Sequence, residues 1–519
     1  MPGGGLYVLV AYGAQNVILS GNPDFTFWYK TYKKYTHFAE ESVTQTMDGP
    51  TELSIDQPIQ VRFKIQRISD LVRDMYLVVT LPDIYCKWLD LNNPLTQRAS
   101  QLNFNWCRYI GCQLIQQVGF YIGGQKIQEF DGTYLIAKAQ CDYNVDQFQK
   151  WRTLVGDVPE LVNPAAGVYG GGSSNGGYPL VYPDRLGGNI NRPSIFGRDL
   201  YIPLPFWFTE STYSALPLLS LQYQECEVQV LFRPINQLYQ VLDANGSTVA
   251  PGFVEIPPPA TEPANPSYIQ SNSVYDSIGN FLTDWTVPNP LIPTWPLNPR
   301  IQATYVYLTD EERTKFASTP LQYLMRQVTA YQFPGIVSRQ YCELRTHNPI
   351  NRLLIVPRRS DSLLYRNDNA NWSNWPFPNK TPWIAPTTPY PVYILTGEAT
   401  GKLIAVGGAQ PILQTLRLLG DGNELQEEKS IAYYSTVVPW KYLTGQPDPN
   451  LAIYPFGLQS PSTQPDGSLN TSRVRLLQID LNPYPLLATT NYAYDFTIYV
   501  ENINWVTVSS GLGGLKYAL

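Results

Sequence analysis

Residues 197–235 read GRDLYIPLPFWFTESTYSALPLLSLQYQECEVQVLFRPI, and this stretch decides the fold. Its first run, Leu200 to Phe208, is aromatic and aliphatic, with Pro203 and Pro205 inside it. Proline has no N–H to give to a sheet ladder, so the run fits an edge strand or a strand end. The second run extends from Leu218 to Phe232. Its last part alternates, with Cys226, Val228, Val230 and Phe232 on one face and Glu225, Glu227 and Gln229 on the other. A period of two with one apolar face is the pattern of a half-buried antiparallel strand. Ser211 to Ala215, between the runs, leaves room for one helical turn. Together they imply a β-barrel or sandwich being closed.

The same pattern recurs on either side. In Gln57 to Gln66, Ile59, Val61, Phe63 and Ile65 face one way and Gln60, Arg62, Lys64 and Gln66 the other. Met75 to Leu81 is apolar on both faces and stops at Pro82, so it is expected to be covered on both. Gly123-Gly124 between apolar runs signals a hairpin turn, and Asp131 to Leu154 reads as helix lying beside the barrel. Near the end, Tyr492, Tyr494, Phe496, Ile498 and Val500 alternate with Ala493, Asp495, Thr497, Tyr499 and Glu501. Thr309 with Glu312 three residues on predicts a capping box at a helix start. Glycine-rich 163–197, proline-rich 236–299, 366–392 and 444–467 read as long loops or linkers.

Composition agrees with an all-β chain of more than one domain. At 519 residues the chain exceeds one core, and all-β domains reach ~200–250 residues, so two domains are natural. Tyrosine is abundant at 37, beside 45 prolines and 37 glycines, which favours strands joined by long ordered loops. Only 15% of residues are charged, against the usual ~25%. So little charge leaves surface for something to cover, and self-assembly is one way to do it. The net charge of −6, with no basic tail, argues against direct genome binding. Cys86, Cys107, Cys112, Cys141, Cys226 and Cys342 include no C-x-x-C pair and suit free thiols in a reducing compartment. No signal peptide or apolar run of ~18 residues is evident, which points to synthesis and assembly in the cytoplasm.

Several ordered motifs resemble one family. They include Leu9-Val10-Ala11-Tyr12-Gly13-Ala14-Gln15, Leu19-Ser20-Gly21-Asn22-Pro23, and the basic-aromatic segment Tyr32 to Phe38. Further matches are Ile202 to Phe208, Ala215 to Leu218, Leu221-Gln222-Tyr223, Asp310 to Arg313, Tyr323 to Val328, Gly467 to Arg473 and the glycine-rich Ser510 to Tyr517. Together these resemble the major capsid proteins of nucleocytoplasmic large DNA viruses; Thr471 departs from the aromatic residue usual in that motif. The resemblance implies a double jelly roll: two consecutive eight-stranded barrels with long inserted loops and a few short helices. It divides the chain into an N-terminal arm (1–24), a first jelly roll (25–235), a Pro-rich linker or loop (236–299) and a second jelly roll with a C-terminal tail (300–519). It further implies homotrimers forming pseudo-hexameric capsomers in an icosahedral virion shell. Minor capsid or cement proteins, penton proteins and an inner membrane or membrane protein at the base are the partners it suggests. The long loops would supply the tower and the locking between neighbours.

Chemistry is sparse, and the chain reads as a non-enzyme without cofactor or metal. His37 and His347 are the only histidines, and neither lies in a metal-spaced cluster. Gly397 to Lys402 is one residue short of a phosphate loop, and Leu403 replaces its Ser or Thr. Asp310, Glu311 and Glu312 fit a helix's first turn better than a glycosidase pair. Asn245, Asn371, Asn379 and Asn470 open formal glycosylation sequons. Lys30, Lys33 and Lys34, interleaved with tyrosines, read either as a strand edge defended by lysines or as an inner-face contact with nucleic acid or lipid headgroups. Two other functions stay open. One is a related double-barrel assembly scaffold or minor capsid protein. The other is a carbohydrate-binding or sugar-cleaving β-sandwich, with Trp372, Trp375, Trp383 and Tyr390 as the ring-stacking candidates.

Overall fold

A computed structural model of the chain describes residues 3–84, 103–162, 193, 195–242, 248–250, 278–282, 294–360, 362, 367, 369–374, 410–459, 464–486 and 492–517. Most of the loops at 163–197, 236–299 and 366–392, and the Gly397 to Lys402 turn, lie outside these residues.

Two short helices open the chain, α1 (Gly4–Val10) and α2 (Asn16–Ser20). Then come β1 (Phe38–Gln45), β2 (Ile59–Lys64), β3 (Leu71–Leu81), α3 (Ile110–Leu114), β4 (Ile115–Ile122) and β5 (Gln125–Phe130). Helices α4 (Gly132–Asp142) and α5 (Val145–Val155) follow, then β6 (Arg198–Pro203), β7 (Cys226–Phe232) and β8 (Arg300–Leu308). After α6 (Asp310–Ser318) come β9 (Leu321–Ile336), β10 (Gln340–Leu344), β11 (Pro349–Arg359) and β12 (Leu413–Gly420). The last strands of the second half are β13 (Asn423–Ser430), β14 (Ala452–Pro455), β15 (Leu477–Pro483) and β16 (Tyr494–Ser509).

The strands pair antiparallel in two sheets per half. In the first half the orders are β1-β8-β3-β6 and β2-β7-β4-β5. In the second they are β9-β16-β11-β14 and β10-β15-β12-β13. The same order thus occurs twice, with the last strand of each set lying between its first and third. This is the jelly-roll path, and the chain is a double jelly roll.

The alternation read from the sequence is what the sheets bury. Val61 and Phe63 of β2 face inward while Gln60, Arg62 and Lys64 stay in water. They pair with Val230 and Val228 of β7, whose alternation is complete from Cys226 to Phe232. Burying each such side chain contributes ~1.5–3 kcal/mol. Phe206 and Phe208 fill the first core beside Phe120 and Phe130. Gly123 and Gly124 both take positive φ, 56° and 82°, as a tight hairpin between β4 and β5 requires.

Five expectations need correction. Residue 300 does not start the second barrel: β8 hydrogen-bonds to β1 and β3 and closes the first. The stretch 236–299 is not merely a linker, because Tyr239–Leu242 pairs with Asn103–Trp106 and Thr294–Pro296 with Glu52–Ser54. Aromatic contacts accompany this return, with Tyr239 stacked on Phe104 and Trp295 tilted against Trp106 at ring distances of 5.1 and 5.2 Å. Leu218–Ser220 is a 3₁₀ turn rather than strand, since Leu219 N–H bonds to the Asp70 carbonyl outside any ladder. Residues 444–467 contain β14 and are not all loop. Thr309 does cap α6 by position, but its side chain makes no capping bond; Glu312 instead accepts from the Thr36 hydroxyl at 2.8 Å.

Candidate functional site: the barrel junction and the N-terminal arm

Helix α4 carries the junction. Asp131 is its N-cap and accepts from Tyr134 N–H at 2.7 Å. Every residue of α4 is buried, because the first barrel packs on one side and β11 and β16 of the second on the other. That contact explains why β16 departs from simple alternation: Tyr499 and Glu501, on its predicted polar face, are also buried. Tyr499 donates to the Asp131 carboxylate at 2.8 Å, and Tyr134 donates to Glu501 at 2.9 Å.

Charges link the two barrels inside this contact. Arg352 of β11, fully buried, donates to Asp142 and to Glu501, each at 2.6 Å. Lys138 pairs with Asp142 at 2.9 Å and with Glu210 at 2.8 Å, and Arg326 stands 3.9 Å from Glu501. Burial alone would raise the Asp142 and Glu501 carboxyls, but the Arg352 and Lys138 charges overcome it and hold both below the usual range. Reciprocal amides extend the seam: Gln128 donates to the Arg326 carbonyl at 2.9 Å and Gln327 to the Ile127 carbonyl at 2.8 Å. At the far end the C-terminal hairpin grips the first barrel. Gly513 N–H donates to Gln224 Oε1 at 2.6 Å, and a Cβ on Gly511 (φ 80°) would lie 2.4 Å from the Tyr223 ring. Glycine in this tail therefore permits close approach. Sequence reading missed the seam, because its residues are scattered and none has a spacing signal. The one available hint was the unusual charge inside two apolar strands, Arg352 and Glu501.

The N-terminal segment is the opposite. Every residue from 3 to 42 is exposed, including Leu6 to Val10, Ile18, Leu19, Phe27 and Trp28. Such a run of apolar side chains in water marks an interaction surface. Exposed chain continues beyond residue 24 to β1, so the arm is longer than expected. Lys30, Lys33 and Lys34 lie in it, ahead of the first strand, which removes the strand-edge reading. Lys30 Nζ sits 5.7 Å from the Tyr32 ring. The outermost strands β1 and β13 are also largely exposed and carry the edge charges Glu40, Glu41, Glu424, Glu427 and Glu428.

The remaining candidates are not brought together. Asn371 accepts from Ser373 N–H and hydroxyl at 3.1 and 2.7 Å; Asn470 does the same with Ser472 and is exposed. Asn245, Asn379, Trp375, Trp383 and Tyr390 lie outside the described residues. Trp372 is buried in the main core. No group of His, Cys, Asp and Glu with metal-binding geometry occurs among the described residues. Cys107, Cys112, Cys141, Cys226 and Cys342 are free and buried, and burial pushes the Cys226 and Cys342 thiols up to about 12. They are packing groups rather than nucleophiles.

Comparison with known proteins fits this geometry. The family model described as major capsid protein N-terminus matches residues 26–262, and the one described as large eukaryotic DNA virus major capsid protein matches residues 312–514. The chain belongs to the major capsid proteins of nucleocytoplasmic large DNA viruses. Relatives include the major capsid proteins of Phaeocystis pouchetii virus and of Paramecium bursaria Chlorella virus 1. Each is 25% identical over 99% of both chains. Among solved structures, the Faustovirus major capsid protein aligns with TM-score 0.63 and 13% identity over 97% of this chain and 96% of that one. The PBCV-1 virus capsid gives 0.61 and 19% over 95% and 100%. Those alignments carry the shared fold. As a major capsid protein the chain is a structural component of the virion shell, and its relatives are structural rather than enzymatic.

Proposed function

We propose that three copies associate into a pseudo-hexameric capsomer, and that capsomers tile the flat facets of an icosahedral shell. The observation that carries this reading is the duplicated strand order, with both barrels fixed to each other by the Arg352 seam. Two like barrels held rigidly in one chain make a third of a six-barrel ring. Three chains then supply the six near-equivalent flanks that hexagonal packing needs. The exposed arm, with Lys30, Lys33 and Lys34, contacts what lies beneath the shell: minor capsid proteins or an inner membrane. Penton and cement proteins meet the flanks.

Light scattering on the purified protein tests the trimer. A mass near three times 58.6 kDa that survives dilution supports it, with an obligate interface above ~2,000 Å². A monomer at micromolar concentration rejects it.

A further inference from the structure

Beside the ion-paired seam, a second cleft of about 390 Å³ opens between the barrels. Arg233, just after β7, enters it from the first barrel, and Arg358 of β11 enters from the second. Unlike Arg352, these two guanidiniums are left without a counterion in contact. Arg233 Nε is shut off from solvent and has no hydrogen-bond partner among the described residues. Neither arginine is within ion-pair distance of a described carboxylate: Arg233 feels Asp131 through space, and Arg358 feels Asp495, its cross-strand neighbour, more than Asp131. Asp131 is already engaged, by Tyr134 N–H and by the Tyr499 hydroxyl on both oxygens. The other carboxylate on the cleft, Glu129, is paired with Lys126 at 3.0 Å. Burial lowers both arginines from their ordinary value, and a guanidinium keeps its proton in proteins. Two partly buried cations therefore face one cleft whose carboxylates contact neither of them.

A guanidinium presents a planar fork of donors, which suits oxyanions. Two forks approaching from different barrels need an acceptor with oxygens on several sides. A tetrahedral anion has that shape and a carboxylate does not. The cleft also has room, given the ~30 Å³ a water takes in the liquid.

We propose that this cleft is a binding site for a small tetrahedral oxyanion, free phosphate in class, held between Arg233 and Arg358. Bound there, the ion ties the two barrels together at a point the salt-bridge seam does not reach. Ligand that binds only the folded form raises stability in a saturable way.

The test is thermal unfolding of the full chain during titration with inorganic phosphate, with sodium chloride at matched ionic strength as control. The expected result is a saturable rise in Tm with phosphate alone. Arg358→Gln and Arg233→Gln should each weaken the apparent affinity at least tenfold while native mass is unchanged. Equal shifts in phosphate and chloride, or undiminished phosphate shifts in both variants, would overturn the site. Should the variants fail to fold, a density map of the unmodified protein prepared in tungstate decides. A heavy-atom peak between the two arginines supports the proposal, and water alone there overturns it. None of these readouts depends on trimer formation, so the capsomer reading and this one fail separately.

Discussion

Arg352 and Glu501 are wholly buried where the barrels meet, whereas Trp28 near the chain's start keeps 95% of its surface in water. The usual distribution is inverted twice in one molecule: charge inside, apolar surface outside. The difference separates what the fold completes from what assembly completes. Along the Arg352 seam each ion has a partner within the chain, so the two barrels are joined before any other copy arrives. In the arm no apolar side chain is buried, so what covers it comes from outside. Energetically the two regions should respond in opposite ways to damage.

The largest expected effect is at the seam. Arg352→Met should lower unfolding stability by ~3–5 kcal/mol, because buried Glu501 loses its close cation and buried Asp142 keeps only Lys138. Urea unfolding measures it, and a loss below ~1 kcal/mol would mean that water reaches the seam and the contrast is false. Replacing Arg352, Asp142 and Glu501 together by apolar residues of similar volume should restore most of the loss. Restoration would show that unpaired charge, rather than lost packing, was the cost.

Acid should act on the same groups. The folded-state values of Asp142 and Glu501 lie below their unfolded ones. Their contribution is then full above the ordinary carboxylate range, near ~4, and is lost as pH falls through the lowered folded values. Thermal unfolding between pH 7 and 3 should show a plateau that drops only at the acid end. A decline already complete by pH 5 would contradict the ion-paired seam.

Tyr499→Phe is expected to cost less, ~1–3 kcal/mol, by taking the hydroxyl from a buried Asp131 carboxylate. Smallest of all should be removal of residues 3–28, which changes unfolding stability by no more than ~0.5 kcal/mol because nothing there is buried. The same deletion should nevertheless reduce assembly into shells, read by electron microscopy of particles. If stability falls sharply while assembly is spared, the arm belongs to the fold.

The barrels were legible in the sequence wherever one sheet face meets water. The alternations at Ile59 to Lys64, Cys226 to Phe232 and Tyr494 to Val500 map directly onto strands. What periodicity could not show was strand order. Arg300–Leu308 looked like the start of something new because it follows a proline-rich stretch, yet its partners lie more than two hundred residues back. Sequence distance holds no trace of that pairing. The seam was hidden for a related reason. Lys138, Asp142, Arg352 and Glu501 sit in three separate elements, and nothing in their spacing links the odd charges in two apolar strands to a helix far away in sequence. The arm was visible as a family motif, but its length beyond residue 24 depends on where the first ladder begins.

The placement of β8 and β16 also governs how the molecule can be made. In each barrel the last strand synthesised slots between the first and third, which wait without their central partner until it leaves the ribosome. A chain cut short between Arg359 and Tyr494 leaves β9 and β11 with open edges facing each other across a gap. Such a fragment offers two unpaired ladders to any passing strand. Each barrel therefore closes late and all at once, so truncated copies should be found in aggregates rather than in shells.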